Sequence, residues 1–217
     1  MTAEISPTEI DRIRTRLNET EAAFPFPDGE RRRLDARRWV LSKIETGGVG
    51  AEIGVFRGHF SELICRIAQP RKLYLIDPWT STGDLFGWGG DYTTNNTLPT
   101  AVARDEAVLR TSLFPNTETV IIEGVFPDCS NQISEKLDWV YLDASHQYEA
   151  TLMELRAVQS LLKEGGVILG DDWVADPNHK HFGVMQACHT FMRESDFDLV
   201  AAGLGHQWCM RKLRTSK

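Results

Sequence analysis

From Val49 onward the chain alternates short apolar runs with amphipathic stretches. Val49–Ile53, Lys72–Ile76, Thr119–Glu123, Trp139–Leu142 and Val167–Leu169 predict five strands. Their apolar residues run on without strict alternation, the pattern of parallel strands buried on both faces. Between them, Phe60–Ala68, Thr100–Leu113 and Tyr148–Leu162 predict helices. In the last of these, Tyr148, Leu152, Leu155 and Leu162 share one face, and Gly165-Gly166 predicts its cap. A further helix is expected over about Gly183–Arg193. Phe197–Ala201 and Gln207–Lys212, with Gly203 and Gly205 between them, predict a terminal hairpin.

The first residues read differently. Ser6-Pro7-Thr8-Glu9 fits a capping box with proline at the first helical position, and Ile10, Ile13 and Leu17 follow at helical spacing. Phe24-Pro25-Phe26-Pro27 ends that helix, and a second is expected over about Gly29–Glu45. The fold class expected is therefore α/β: a Rossmann-like, doubly wound sheet, mostly parallel with a C-terminal antiparallel hairpin strand, plus N-terminal helices. Residues 1–46 form the helical extension and 47–217 the sheet domain.

Ligands of such sheets bind at the carboxyl ends of the strands. The residues there are the candidate chemistry. After the first strand comes Glu52-Ile53-Gly54-Val55-Phe56-Arg57-Gly58. Glycines at 50, 54 and 58 do not make the G-x-G-x-x-G of a dinucleotide site. Asp77 ends the second strand, 23 residues after Gly54, where an acid accepts from ribose hydroxyls. Glu123-Gly124-Val125-Phe126 follows the third strand. Asp143 ends the fourth and Asp171-Asp172 the fifth, which is its neighbour in this topology. Three carboxylates at one sheet edge repel one another, and a hard divalent cation such as Mg²⁺ relieves that repulsion. His146 lies in the loop after Asp143, placed to take a proton.

The strand-one motif E/D-x-G-x-x-x-G, matched by Glu52, Gly54 and Gly58 with Asp77 at the next strand end, resembles class I S-adenosylmethionine (SAM)-dependent methyltransferases. The resemblance implies SAM as cofactor, held by Glu52, Gly54, Phe56, Gly58, Asp77, Gly124, Phe126 and Asp143. D-x-x-H-x-Y-E from Asp143, a helix, then G-G-V-x-x-x-D-D is similar to a family of small metal-dependent O-methyltransferases that act on macrolide and aminocoumarin sugars. Catechol O-methyltransferase places its ligands alike. Asp143, Asp171 and Asp172 are by that resemblance the ligands of Mg²⁺ or another divalent cation, with His146 and Asp143 catalytic. The expected reaction is methylation of a small-molecule hydroxyl. A metal-independent N- or C-methyltransferase, or a SAM-binding module without catalysis, remains the alternative.

Composition adds boundaries. The 217 residues carry 24 Lys and Arg against 31 Asp and Glu, a net charge of −7, which argues against a nucleic-acid partner. The first 21 residues lack the apolar run of a signal peptide, and no segment approaches the roughly 20 apolar residues that span a bilayer. Cys65, Cys129, Cys188 and Cys209 show no C-x-x-C spacing and read as reduced thiols of a cytoplasmic protein without a membrane partner. The sequence barely bears on oligomeric state, and a homodimer is compatible with it. Residues 79–99 are long for a connection and hold Trp79, Phe86, Trp88 and Tyr92, as a lid, a substrate wall or surface packing. The arginine run over residues 30–38 reads as a solvated helix face or as a contact for an anionic acceptor. His179 and His181, past the aspartate pair, read as part of a solvated loop or as groups that reach the acceptor.

Overall fold

The computed structural model describes residues 4–213. Residues 1–3 and 214–217 lie outside it, and with them the outer limits expected for the extension and the sheet domain. The helices are α1 (Pro7–Ala23), α2 (Asp28–Arg37), α3 (His59–Ala68), α4 (Thr100–Ser112), α5 (Tyr148–Leu161) and α6 (Phe182–Glu194). The strands are β1 (Val49–Ile53), β2 (Lys72–Asp77), β3 (Glu118–Glu123), β4 (Leu137–Leu142), β5 (Leu162–Gly170), β6 (Phe197–Ala202) and β7 (Trp208–Lys212).

The strands form one sheet in the order β3-β2-β1-β4-β5-β7-β6. β1 to β5 pair in parallel, while β7 runs antiparallel to both β5 and β6. This is the mixed, doubly wound sheet the strand–helix rhythm predicts. The winding direction reverses between β1 and β4, which opens a crevice beyond the strand ends.

Side chains alternate across the pleat and give the sheet two cores. On one face, Tyr74, Ile76, Val140 and Ile168 pack under Leu155 and Val158 of α5 and Cys188 and Phe191 of α6. On the other, Leu73, Leu75, Tyr141 and Leu169 pack under Phe60 and Ile64 of α3 and Ala103 and Ala107 of α4. All four cysteines are unpaired and buried in these layers. Among the described residues no helix is long and apolar enough to cross a membrane.

At α1 the Ser6 hydroxyl accepts from the Glu9 N–H at 3.2 Å, with Pro7 in the first turn, as the capping signal predicts. Two expectations need correction. The second helix does not continue as one α-helix to Glu45: it tightens into a 3₁₀ segment at Arg38–Lys43 and buries Val40 and Leu41. Gly165-Gly166 does not cap α5. The helix stops at Leu161, Leu162 is already extended, and both glycines lie inside β5, Gly165 with φ +73°. A glycine there serves an irregular strand start as readily as a helix end.

Candidate active site

Beyond the ends of β1, β2, β3 and β4 lies a cavity of about 800 Å³. Its floor is Glu52, Gly54, Asp77 and Gly124, and its far side Asp143 and His146. The strand-end residues singled out from sequence therefore meet in one place. The exceptions are Gly58 and Asp171, which lie outside the cavity wall.

Gly54 has φ +86°, and a Cβ there would stand 1.9 Å from the Asp143 carbonyl oxygen. Only glycine permits that turn and that approach between β1 and β4. Gly58, at φ +73°, serves packing: a Cβ would come within 2.5 Å of Ala107 Cα on α4. Asp77 uses one carboxylate oxygen to accept the Val55 and Phe56 N–H groups, both at 2.9 Å, and the other to accept the Trp79 N–H at 3.0 Å. It thus fixes the β1–α3 loop while facing the cavity. Burial raises its carboxyl despite those three donors.

Glu52 is 1% exposed. Burial pushes its carboxyl up to about 8, against the hydrogen bond donated by Ser61 Oγ and with Asp143 and Asp77 adding to the rise. Burial thus holds this carboxyl in its protonated form near neutral pH.

The wall over the β1–α3 loop is aromatic. The 79–99 segment folds back so that Tyr92 stacks on Phe56 with centroids 4.6 Å apart, and Phe86 and Trp88 contact the same ring at 5.1 and 5.2 Å. Trp79 is buried and donates from its indole to the Phe56 carbonyl at 2.8 Å. Trp88 is half exposed. Phe126, after β3, lines the cavity from the opposite loop.

The three aspartates converge, with one oxygen of each within 4.8 Å of the others. They do not converge alone. Arg37 of α2 donates to Asp143 Oδ2 at 3.1 Å and to Asp171 Oδ2. Arg33, one turn earlier, donates to Asp171 Oδ2 at 2.5 Å and to Asp172 Oδ1 at 3.3 Å. The other Asp171 oxygen accepts from Gln207 Nε2 at 2.6 Å, and Gln207 in turn accepts from the Tyr141 hydroxyl at 2.9 Å. Burial and the nearby Asp143 push the Asp171 carboxyl up to about 7 even so. The spacing of the oxygens suits a divalent cation, but both Asp171 oxygens are already engaged, one by two guanidiniums and the other by an amide. As arranged, the three-aspartate set does not fit a metal.

Asp172 faces the histidines with its remaining oxygen. Oδ2 lies 2.9 Å from His146 Nδ1 and 2.8 Å from His181 Nδ1, and the two imidazoles stack with centroids 4.2 Å apart. Burial works against a charged His146, yet Asp172 and the neighbouring carboxylates leave it raised above its ordinary value. Burial would raise Asp172 too, but the two imidazoles outweigh it and hold the carboxyl well below its usual range. Glu154 of α5 also lines the cavity, with its carboxyl pushed up to about 7 by burial.

Arg33, Arg37, His181 and Glu154 were not picked out as site residues from sequence. Arg33 and Arg37 lie in the arginine run, where a spacing of four puts them on one helix face. Neighbours in that run do other work: Arg31 pairs with Glu21, and Arg38 lies 3.6 Å from the exposed Asp35. His181 carries no sequence signal beyond its place in the loop after Asp172.

A family described as a methyltransferase domain matches residues 51–173, more than half of the chain. No curated protein matches it. Among solved structures, an O-methyltransferase from Bacillus cereus in complex with SAH superposes at a TM-score of 0.57 and 15% identity, covering 97% of this chain and 92% of the other. Cofactor-bound Rv0187 from MTB superposes at 0.61 and 13% identity, over 98% and 100% of the two chains. An rRNA methylase from Streptococcus thermophilus superposes at 0.56 and 12% identity, over 82% and 94%. A sheet ordered 3-2-1-4-5-7-6, a glycine turn between β1 and β4 and an acid at the end of β2 agree with the family match: the chain belongs to the methyltransferase-domain family and is a class I SAM-dependent methyltransferase.

Proposed function

We propose that this methyltransferase transfers the methyl group to a hydroxyl oxygen of a small molecule, with His146 as the base. The observation that carries the reading is the pair formed by His146 and Asp172 at the cavity wall. His146 Nδ1 lies 2.9 Å from the Asp172 carboxylate; with the proton assigned to Nδ1, Nε2 keeps its lone pair. The acceptor hydroxyl gives its proton to Nε2. Its oxygen forms the bond to the methyl carbon while the carbon–sulfur bond breaks. The electron pair goes to sulfur, and neutral S-adenosylhomocysteine (SAH) leaves. The sulfonium is already a good leaving group, so orientation supplies most of the acceleration.

Gly54 admits the methionine end of SAM close to the strand ends, where the buried Glu52 meets its ammonium. Asp77 and the loop it holds face the ribose, and Gly124 and Phe126 flank the adenine. Phe56, Phe86, Trp88 and Tyr92 offer an aromatic wall for a planar or sugar acceptor.

The test is His146→Ala. Turnover should fall by roughly 10²- to 10⁴-fold while SAH affinity stays within a factor of about two. Unchanged turnover with a range of hydroxyl acceptors would remove His146 from the chemistry. Two second readings have an observation each. The likeness to an rRNA methylase favours an RNA acceptor, which the net charge of −7 opposes; methylation of ribosomal RNA by the purified protein would establish it. The 4.8 Å convergence of the aspartate oxygens favours divalent-cation assistance, which the two arginines oppose.

A further inference from the structure

We infer that Arg33 and Arg37 occupy the Asp143–Asp171–Asp172 cluster as its resident cations, so that methyl transfer by this chain needs no divalent metal. The inference rests on the methyltransferase reading for its second half and on geometry alone for its first.

Three carboxylates meeting at one strand edge require countercharge. The structure supplies it from α2. Arg37 spans Asp143 and Asp171, and Arg33 spans Asp171 and Asp172, so each guanidinium bridges two acids and each acid touches at least one guanidinium. Each contact is a charge-assisted hydrogen bond, stronger than one between neutral groups.

The Arg37–Asp171 pair is also buried. The Asp171 side chain has no exposure and Arg37 only 6%. Arg37 is held from behind by the Phe60 ring, 5.9 Å from its guanidinium carbon. Removing one member of a buried pair strands the other charge, so Arg37 does not withdraw easily. A divalent ion would have to expel two cations and then reach Asp171, which lies behind the cavity wall. The His146 and His181 side complements this: the two imidazoles lie 2.9 and 2.8 Å from the one Asp172 oxygen that the arginines leave.

The arrangement also gives the N-terminal segment a function. Arg33 and Arg37 come from α2, outside the sheet domain, so the extension completes the acidic edge.

The test uses the full chain and Mn²⁺ as probe, read by loss of the free-ion electron paramagnetic resonance signal, with SAH affinity measured calorimetrically on the same samples. Wild type should leave Mn²⁺ free at millimolar concentration and turn over equally in EDTA. Arg33→Gln/Arg37→Gln should gain Mn²⁺ affinity by roughly tenfold or more, because its carboxylates lose their partners. If the double variant does not fold, Arg33→Gln alone, whose side chain is 35% exposed, should show a smaller gain. Tighter Mn²⁺ binding by wild type than by the variants would overturn the inference. So would variants that gain nothing, since the arginines would then not be the countercharge. Absence of SAH binding in every sample would instead sink the methyltransferase reading and leave the Mn²⁺ result standing.

Discussion

Glu52→Gln should stabilise the ligand-free protein, and the gain should grow with pH. The carboxyl is buried and has its titration moved from 4.5 to about 8. In the unfolded chain it ionises near its ordinary value, so between those two pH values folding requires it to take up a proton. A folded-state value raised in an acid means stability lost as pH rises, the reverse of a salt-bridged carboxylate. Linkage gives a cost on the order of 1 kcal/mol at pH 5 and about 3 kcal/mol at pH 7, levelling on the order of 5 kcal/mol above pH 8. Glutamine keeps the shape, can accept from Ser61 Oγ, and carries no proton linkage. Urea melts of both proteins at pH 5 and pH 7.5 would check this. The difference in unfolding free energy should widen by about 2 kcal/mol or more between them. Parallel curves would refute the reasoning, because they would mean that Glu52 titrates normally in the folded state. The same substitution should weaken SAM binding, since the amide offers the ammonium no charge. Stability is here exchanged for function, as at other sites that bury an ionisable group for a ligand.

Gly54→Ala should destabilise by about 2–4 kcal/mol and abolish SAH binding, because the new methyl meets the Asp143 carbonyl at a positive φ; thermal melts and calorimetry would show both losses together. Asp77→Asn removes a charged acceptor from three backbone N–H groups and should cost about 2–3 kcal/mol in a denaturant melt, with weaker SAH binding because the β1–α3 loop loosens. Trp88→Ala leaves the fold within about 1 kcal/mol, since Trp88 is 54% exposed, yet should raise the acceptor KM with SAM KM unchanged. The acid limb of kcat/KM should lie above the ordinary histidine value of 6.5, because His146 must be neutral to act and its neighbours raise it; His146→Ala should abolish that limb in a pH–rate profile.

What the chain reveals before folding follows from how far each residue's constraint reaches. The sheet was legible because strands buried on both faces leave apolar runs, and Leu73-Tyr74-Leu75-Ile76 divides between the two cores residue by residue. Gly54 and Asp77 were legible because a tight turn and a strand-end acid are local demands with few chemical solutions. The 3₁₀ turn at Arg38–Lys43 was not, since its spacing of apolar residues differs little from that of an α-helix. The acidic edge is the instructive case. Like-charge repulsion among Asp143, Asp171 and Asp172 can be read from sequence, and so can the need for a cation. The source of that cation cannot, because Arg37 lies 106 residues before Asp143 and 134 before Asp171, in a run whose arginines look alike. Only the packing of α2 over the strand ends chooses Arg33 and Arg37 from that run. A motif of carboxylates therefore specifies a positive charge at that place, and the fold decides whether an ion or a side chain supplies it.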